Sequence, residues 1–517
     1  MRVELRLRCA MSDLPVFIDG AQLEGGGQVV RVAMACSAVN RRTTTVTNVR
    51  AGRPNPGLGA QHLAGVELLA ALCDGTLRAG GGPSGAHARG RRDGGVVRRG
   101  CVEFTHEFTR GGADGGADGG AGGGADVTRA SKPLDARHVR TSRYHASDDR
   151  LEIAADVGTA GSVALVLQAA MPWLVRTNDG GRGRGRGSGR KVGTQHAART
   201  VSLTLSGGTD VPFAPTIDYV RYALWPVVSG NANRRGLACD ADVTFEVLTR
   251  GFYPRGGGTV RVNVVRRDGA GSDSGSRNPA RLTRDTNRRG GARGRETWAV
   301  VTRAAAAVTG GGGGGTRTVT REDLLDACRV AGEVCKIGVA SVASDDSTFT
   351  TGDVDQQTGD TCISGRHEPG GSVTMTATLL RVADGTSRPL GDGLGLGSAT
   401  RAPPGDSPPV HFGASRVWDV RSGETLRDVA TAVAKELADV IVSGAAVDDC
   451  MLDQLVVFLA LGGGGEVLAR NPISLHAKTA MAVCERATPS VRFETTETND
   501  GRLVLVTCDV GAEPRNW

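Results

Sequence analysis

One unit recurs three times along this 517-residue chain, and the repetition limits its fold more than any other feature. The unit is a glycine turn, an apolar helix, a β-branched strand, a second helix and further strand. In the first instance Gly25, Gly26 and Gly27 lead into QVVRVAMACSAV, then TTTVTNV, then the helix QHLAGVELLAALC. In the second, Thr159, Ala160 and Gly161 lead into SVALVLQAAMPWLV, then VSLTL, a helix from about Ile217 to Ser229, and DVTFEVL. The third runs through DQLVVFLAL, a strand from Glu466 to Ala469, a helix from about His476 to Arg486, VRFETTE and RLVLVTCDV. Apolar residues recur at helical spacing in the helices and alternate in the strands. The pattern predicts an α/β (α+β) fold with a quasi-threefold core over 11–266 and 447–517.

A segment of different order interrupts the scheme after TVRVNVV. It offers the strand TWAVVTRA, the helix REDLLDACRVAGEV, strands at KIGVASVA and SVTMTATLL, and a long helix from about Glu424 to Val442. These predict a smaller α/β domain over 267–446, inserted between units two and three. Low-complexity blocks near 78–100, 110–128, 177–192, 267–296, 309–316 and 383–409 are rich in glycine, which supplies 77 residues of the chain. Such tracts bury too little apolar surface to offset the entropy of ordering them, so they read as loop insertions. The run 181–191 (GRGRGRGSGRK) is also compatible with an RGG-like RNA-binding tail. It holds five cations and no acid, so most of the net charge of +7 lies in one loop.

Eleven cysteines without a CxxC pair read as reduced, mostly buried thiols rather than a disulfide framework or zinc site, which points to an intracellular protein. No apolar run approaches the roughly 18 residues of a membrane helix, and no signal-peptide core opens the chain. Residues 1–10 carry arginines ahead of Met11, so Met1 and Met11 are both candidate initiators and a transit peptide is an open alternative.

Four short motifs bear chemistry. The first is DGAQLEGGGQVVR (19–31), where three glycines before a helix let backbone N–H groups approach an anion, with Glu24 placed to hold a metal beside it. It is not a Walker A loop, because no Gly-Lys-Ser/Thr follows; GGGGGT at 311–316 reads as linker. The second is RAGRPNPGL (50–58) with Gln61, His62 and Leu63, a stiffened loop whose arginines suit phosphate clamping. The third is SGGTD (206–210) with APTIDY (214–219), ordinary turn punctuation when taken alone. The same holds for GFYPRGGG (251–258), although an exposed aromatic pair beside a basic glycine loop suits RNA. The fourth is SLHAKTA (474–480), which sets His476 at a helix start, where an imidazole nucleophile gains from nearby N–H groups. By spacing alone, His476 is one histidine among nine, and a single histidine is more often a cap, a surface residue or a packed neutral ring than a nucleophile.

Taken in order, these blocks, with TAGSVALVLQAAMP and VDDCMLDQLVVFLAL, resemble the RNA 3'-terminal phosphate cyclase family across the non-repetitive chain. The resemblance implies three βαβαββ units plus one inserted α/β domain. It implies ATP-dependent conversion of an RNA 3'-terminal phosphate to a 2',3'-cyclic phosphate, a ligase-type nucleotidyl transfer through a histidine adenylate and an RNA adenylate. His476 is then the adenylated nucleophile and Glu24 the acid associated with Mg²⁺ or Mn²⁺. Gln168 contacts ATP, and Pro215 covers one adenine face. Cys450, Met451, Leu452, Asp453 and Gln454 complete the nucleotide site, while Gln28, Arg31, Arg53, Gln61 and His62 line the phosphate or RNA end.

One position departs from the family, which commonly has a tyrosine where Cys450 stands. Losing that ring forfeits much of a stacking contribution of about 1–3 kcal/mol, so weaker ATP affinity or looser nucleotide choice is expected. The alternative implied by the resemblance is a non-catalytic cyclase-like protein of ribosomal RNA processing and ribosome assembly; such relatives lack the nucleophilic histidine that is present here. An enolpyruvyl-transferase-like enzyme built from similar repeats lacks motif support. The expected partner is RNA ending in a 3'-phosphate, with no membrane, and the expected compartment is the nucleus, with the cytoplasm or an organelle as alternatives.

Overall fold

The repeat is visible in the strand order of three sheets. In the computed structural model, unit one comprises β1 (Val16–Asp19), α1 (Gly27–Asn40), β2 (Thr44–Thr47), α2 (Ala60–Cys73), β3 (Thr76–Ala79) and β4 (Phe104–Glu107). β2 runs parallel to β1 and antiparallel to β4, and β3 closes a hairpin on β4, giving the order β1-β2-β4-β3. The described residues are 14–79, 97, 99–108, 137–145, 147–176, 198–230, 237, 239, 241–267, 280–282, 296–307, 326, 330, 333, 370–381, 410–419, 423–498 and 500–511. Residues 1–10, the run 181–191, GGGGGT, the strand expected at KIGVASVA and most of the low-complexity blocks lie outside them. Of the expected helix REDLLDACRVAGEV, only 326, 330 and 333 are described, each as helix.

Unit two opens with the edge strand β5 (Val139–His145), antiparallel to β6 (Arg150–Asp156). Then follow α3 (Val163–Leu174), β7 (Thr200–Gly207), a helical stretch α4, β8 (Ala241–Thr249) and β9 (Gly258–Arg266). Its order β6-β7-β9-β8 repeats unit one, parallel first pair included. α4 is continuous but irregular: Ile217–Tyr219 and Trp225–Ser229 are α-helical and Val220–Leu224 is a π turn. The Trp225 N–H reaches back to the Val220 carbonyl just before Pro226, which lacks an N–H and crowds the preceding turn.

Next in the chain comes β10 (Ala280–Leu282), then β11 (Glu296–Ala307), β12 (Gly370–Arg381), β13 (Val410–Asp419) and α5 (Leu426–Ser443). The chain ends with α6 (Asp449–Leu461), β14 (Gly465–Arg470), α7 (Leu475–Ala487), β15 (Val491–Glu497) and β16 (Leu503–Val510). β10 pairs parallel with β14, in the order β10-β14-β16-β15. It is therefore the first strand of unit three, and the insertion falls inside that unit, after its first strand, rather than between units two and three. Ala280, Arg281 and Leu282 alternate buried, exposed, buried, but three residues are too short a run to mark a strand, so only the pairing reveals them.

The helices of the three units pack on one another. α1 touches α2, α3, α6 and α7, which explains why it is apolar nearly all round. Val29, Val30, Val32, Met34 and Cys36 are sealed from solvent, each aliphatic side chain contributing roughly 1.5–3 kcal/mol. The insertion holds a second core, in which Val373, Met375 and Phe412 of its β11-β12-β13 sheet meet Val429, Val433 and Leu437 of α5. That sheet docks on α4. The Thr216 and Thr374 hydroxyls lie 2.7 Å apart, and Ser372 Oγ donates to Asp210 Oδ1 at 2.9 Å. Behind this contact Arg250 pairs with Asp218 at 2.9 Å and Asp210 at 3.3 Å, all three side chains being at most 3% exposed.

Among the described residues no helix is long and apolar enough to cross a membrane. None of the seven described cysteines forms a disulfide; Cys36, Cys73, Cys484 and Cys508 are buried, and Cys450 is exposed.

Candidate active site

The turn between β1 and α1 lays the first wall of the site. A Cβ on Gly26 would stand 2.0 Å from Glu24 Oε1, and one on Gly27 would stand 2.3 Å from His62 Nε2 and 2.8 Å from Arg31 Nη1. Glycine at these places lets the Glu24 carboxylate and the His62 ring fold over the start of α1. Gly26 is also the N-cap and supplies no side-chain acceptor.

Arg31, on α1, is where the three units meet. Its Nε donates to Gln168 Oε1 of unit two at 2.7 Å and its Nη2 to Gln28 Oε1 at 2.6 Å; Gln28 Nε2 reaches the Asp453 carbonyl of unit three at 3.4 Å. Burial lowers the Arg31 pKa to about 10 against the pull of Asp453 and Glu24, so the guanidinium stays charged at neutral pH. Arg53, exposed on its loop, donates to the Glu24 carbonyl at 3.0 Å and pairs with Glu24 Oε1.

His62 Nδ1 accepts from the Gly59 N–H at 3.1 Å. Burial, then the Arg31 and Arg50 cations, hold its pKa down at about 3. The ring is therefore neutral with its proton on Nε2, a hydrogen-bond donor beside Gly27 rather than a cation. Gln61 Oε1 accepts from the Ser162 N–H at 2.9 Å and so joins units one and two. Arg50, in the arginine loop but outside the expected site set, donates from Nη1 to the Gly57 carbonyl at 3.0 Å, and its charge falls on His62.

Unit three supplies the exposed face. Ser474 caps α7, its Oγ accepting from the Ala477 N–H at 3.0 Å, and His476 stands exposed in the first turn. Thr479 Oγ1 accepts from the Glu24 N–H at 3.2 Å and donates to the Leu475 carbonyl at 2.7 Å, tying the Glu24 loop to the turn that carries His476. Nothing in the motif spacing marks Thr479, because its partner is 455 residues away.

Asp448 caps α6 and accepts from the Met451 N–H at 2.9 Å, the Tyr219 hydroxyl at 2.6 Å and the Gly413 N–H at 3.0 Å. The Tyr219 bond brings the half-buried Pro215 segment to the helix of the exposed Cys450. Met451 and Leu452 pack in the core and give both N–H groups to Asp448; what they offer outward is little. Gln454 is likewise buried, its Nε2 donating to the Cys450 carbonyl at 3.0 Å. The outward member of the 450–454 stretch is thus Cys450, with Asp453 half-buried beside it.

The aromatic pair at 252–253 is not exposed as expected. Phe252 bridges Asp210 and Gly256 and is 8% exposed, leaving Tyr253 alone at 59%.

Among the described residues no group of three His, Cys, Asp or Glu side chains gathers to hold a metal unaided. Glu24 does fit a cation shared with phosphates: Oε1 is taken by Arg53, while Oε2 is sealed from solvent without a hydrogen-bond partner. One carboxylate oxygen is what a magnesium ion commonly takes from protein when phosphates complete its shell.

Asp453 Oδ1 is similarly sealed and unpartnered, and burial pushes the carboxyl up to about 7 despite Arg31. Unfolded, the same group titrates near 3.8, so between those values the folded chain binds the extra proton. Stability is therefore lost as pH rises from about 4 to about 7, by roughly 2–4 kcal/mol in full. Asp453→Asn is expected to match the native chain in urea unfolding near pH 4 and exceed it by that amount at pH 8; an equal gap at both pH values would contradict the assignment.

The family model described as RNA 3'-terminal phosphate cyclase matches residues 22–83 and 126–494. The chain is similar to proteins named RNA 3'-terminal phosphate cyclase from three organisms. It is 31% identical to that of Methanococcoides burtonii over 247 residues, 48% of this chain and 50% of the relative. Identity is 33% over 247 residues for Nitrosospira multiformis, covering 48% and 47%, and 32% over 249 residues for Caldivirga maquilingensis, covering 48% of each. The chain thus spans about half the length of the curated relatives it matches.

Proposed function

The chain belongs to the RNA 3'-terminal phosphate cyclase family, and from that premise we propose that it uses ATP to close an RNA 3'-terminal phosphate into a 2',3'-cyclic phosphate. A phosphate monoester has no good leaving group of its own. In this reading His476 attacks the α-phosphorus of ATP, a P–N bond forms and diphosphate leaves. The RNA 3'-phosphate then takes AMP from His476, forming a phosphoanhydride. Finally the vicinal O2' attacks the 3'-phosphorus and AMP departs.

The chain's own residues suit these demands. Arg31 and Arg53 offset the charge that gathers as two phosphate-bearing reactants meet, and His62 donates from Nε2. Gln168, its oxygen engaged by Arg31, keeps its amide N–H groups for the nucleotide. Pro215 and Cys450 flank the adenine. A divalent cation, Mg²⁺ or Mn²⁺, would supply further charge neutralisation, and Glu24 Oε2 is the oxygen that would hold it. The observation that carries the reading is the Glu24–Thr479 bond, which joins the turn of an exposed histidine to a buried cationic network.

The test is to incubate a 5'-labelled RNA bearing a 3'-phosphate with the protein, ATP and Mg²⁺. The expected product has an end resistant to phosphatase, and its formation requires ATP. An end that stays phosphatase-sensitive would favour a non-catalytic role in ribosomal RNA processing. In the same assay Cys450→Tyr is expected to lower the half-saturating ATP concentration about 5- to 150-fold, the equivalent of about 1–3 kcal/mol of stacking. An unchanged ATP requirement would remove Cys450 from the adenine pocket.

A further inference from the structure

A cleft of 390 Å³ lies on the seam between units one and two, within the size range of ligand pockets (roughly 300–1,000 Å³). Its floor is apolar, made by Ala60 and Leu63 of α2 and by Val157 after β6; Arg99, Arg137 and Arg140 line its walls. Ala60 and Leu63 bracket Gln61 and His62, so the cleft adjoins the site described above.

Its walls are stitched to α2 by backbone bonds. The Gly100 N–H donates to the Leu58 carbonyl at 2.8 Å, just ahead of α2, and the His138 N–H donates to Glu67 Oε2 on α2 at 2.8 Å. All three arginines are exposed; Arg140 is engaged by Asp156 at 3.1 Å, the charge of Arg137 also falls on Glu67 of α2, and Arg99 stands at the rim. His138 also lines the cleft, with Nδ1 2.7 Å from the Asp156 carbonyl oxygen. A carbonyl only accepts, so Nδ1 carries a ring proton, and in that neutral tautomer Nε2 is the ring's acceptor.

We propose that this cleft takes a nucleotide of single-stranded RNA upstream of the terminal phosphate. The base lies on the apolar floor, the phosphodiesters pair with Arg99 and Arg137, and His138 Nε2 accepts a ribose 2'-hydroxyl. Apolar floor, paired cations and a hydroxyl acceptor together match a ribonucleotide better than a bare anion. The inference rests on the cyclase reading for its ligand, but concerns RNA that the reacting atoms never touch.

The test uses the full chain and fluorescence anisotropy with 3'-phosphorylated RNAs of two and ten nucleotides across a salt series. Arg99→Ala/Arg137→Ala is expected to weaken the ten-mer about 10-fold and flatten its log–log salt slope by roughly 1.4, from about 0.7 per phosphate contact. The two-mer should stay within about 2-fold of the native value. His138→Ala should narrow the preference for the RNA ten-mer over its DNA counterpart. Arg261→Ala/Arg281→Ala, two exposed arginines outside the cleft lining, serves as a charge-matched control. The proposal is overturned if the ten-mer is unaffected, if both RNAs weaken equally, if Arg261→Ala/Arg281→Ala does the same, or if free AMP competes through Arg99 and Arg137 as a mononucleotide would. Self-adenylation is scored in parallel: an unlabelled native chain sinks the catalytic reading, while the anisotropy still decides the cleft.

Discussion

With His476 replaced by alanine, protein incubated with α-labelled ATP and Mg²⁺ or Mn²⁺ is expected to carry no label, against an acid-labile adenylate on the native chain. Loss of cyclisation should be on the order of 10³-fold or more, as for other groups that form the covalent intermediate. The exposed ring makes the substitution clean: no core contact is lost, and the Ser474 cap on Ala477 remains. The reaction also depends on the neighbourhood. In the proposed reaction the first turn of α7 offers N–H groups toward the oxygens of the adduct; Thr479 ties the Glu24 loop to that turn. A phosphoramidate of histidine breaks down in acid, whereas a phosphate ester of serine or threonine survives it. Label that resists acid, or persists in His476→Ala, would therefore assign the nucleophile elsewhere.

Arg250→Met is expected to lower unfolding stability by about 3–5 kcal/mol, because it strands two carboxylates in the interior. Burial opposes the Arg250 charge, but Asp218 and Asp210 outweigh it and raise the guanidinium pKa; Asp210 itself is raised by burial. Removing the cation leaves Asp210 with only Thr209 and Ser372 as polar partners. The cost should reach the insertion, since Ser372 on β12 bonds the same carboxylate. Urea unfolding checks the magnitude, and the triple change with Asp210→Asn and Asp218→Asn should recover much of it, because a neutral polar cluster leaves no buried charge. A single-variant loss under about 1 kcal/mol would mean that the triad is solvated in the folded chain.

The legible parts of the molecule are those governed by local periodicity. α1, α2, α3, α6 and α7 follow the apolar runs read from the chain, because each buries a broad apolar face whose spacing survives any neighbour. β10 was unreadable at three residues. β13, ten residues long, follows a proline-rich block that obscures its start, although its pairing with β12 is regular. Phe252 looked like a surface aromatic until two isolated bridges drew it inward.

The sequence by itself therefore determined the repeat, the α/β class and family membership, through helices of fixed period and motif blocks in a fixed order. Tertiary structure alone decided that the insertion interrupts unit three, that Arg31 joins all three units, and that Thr479 holds Glu24 beside His476. The physical reason is distance along the chain. Arg31 and Gln168 are 137 residues apart, Tyr219 and Asp448 229, and Glu24 and Thr479 455. Pairings of that separation leave no periodic trace, and they form only when three sheets with one strand order bring their helices together.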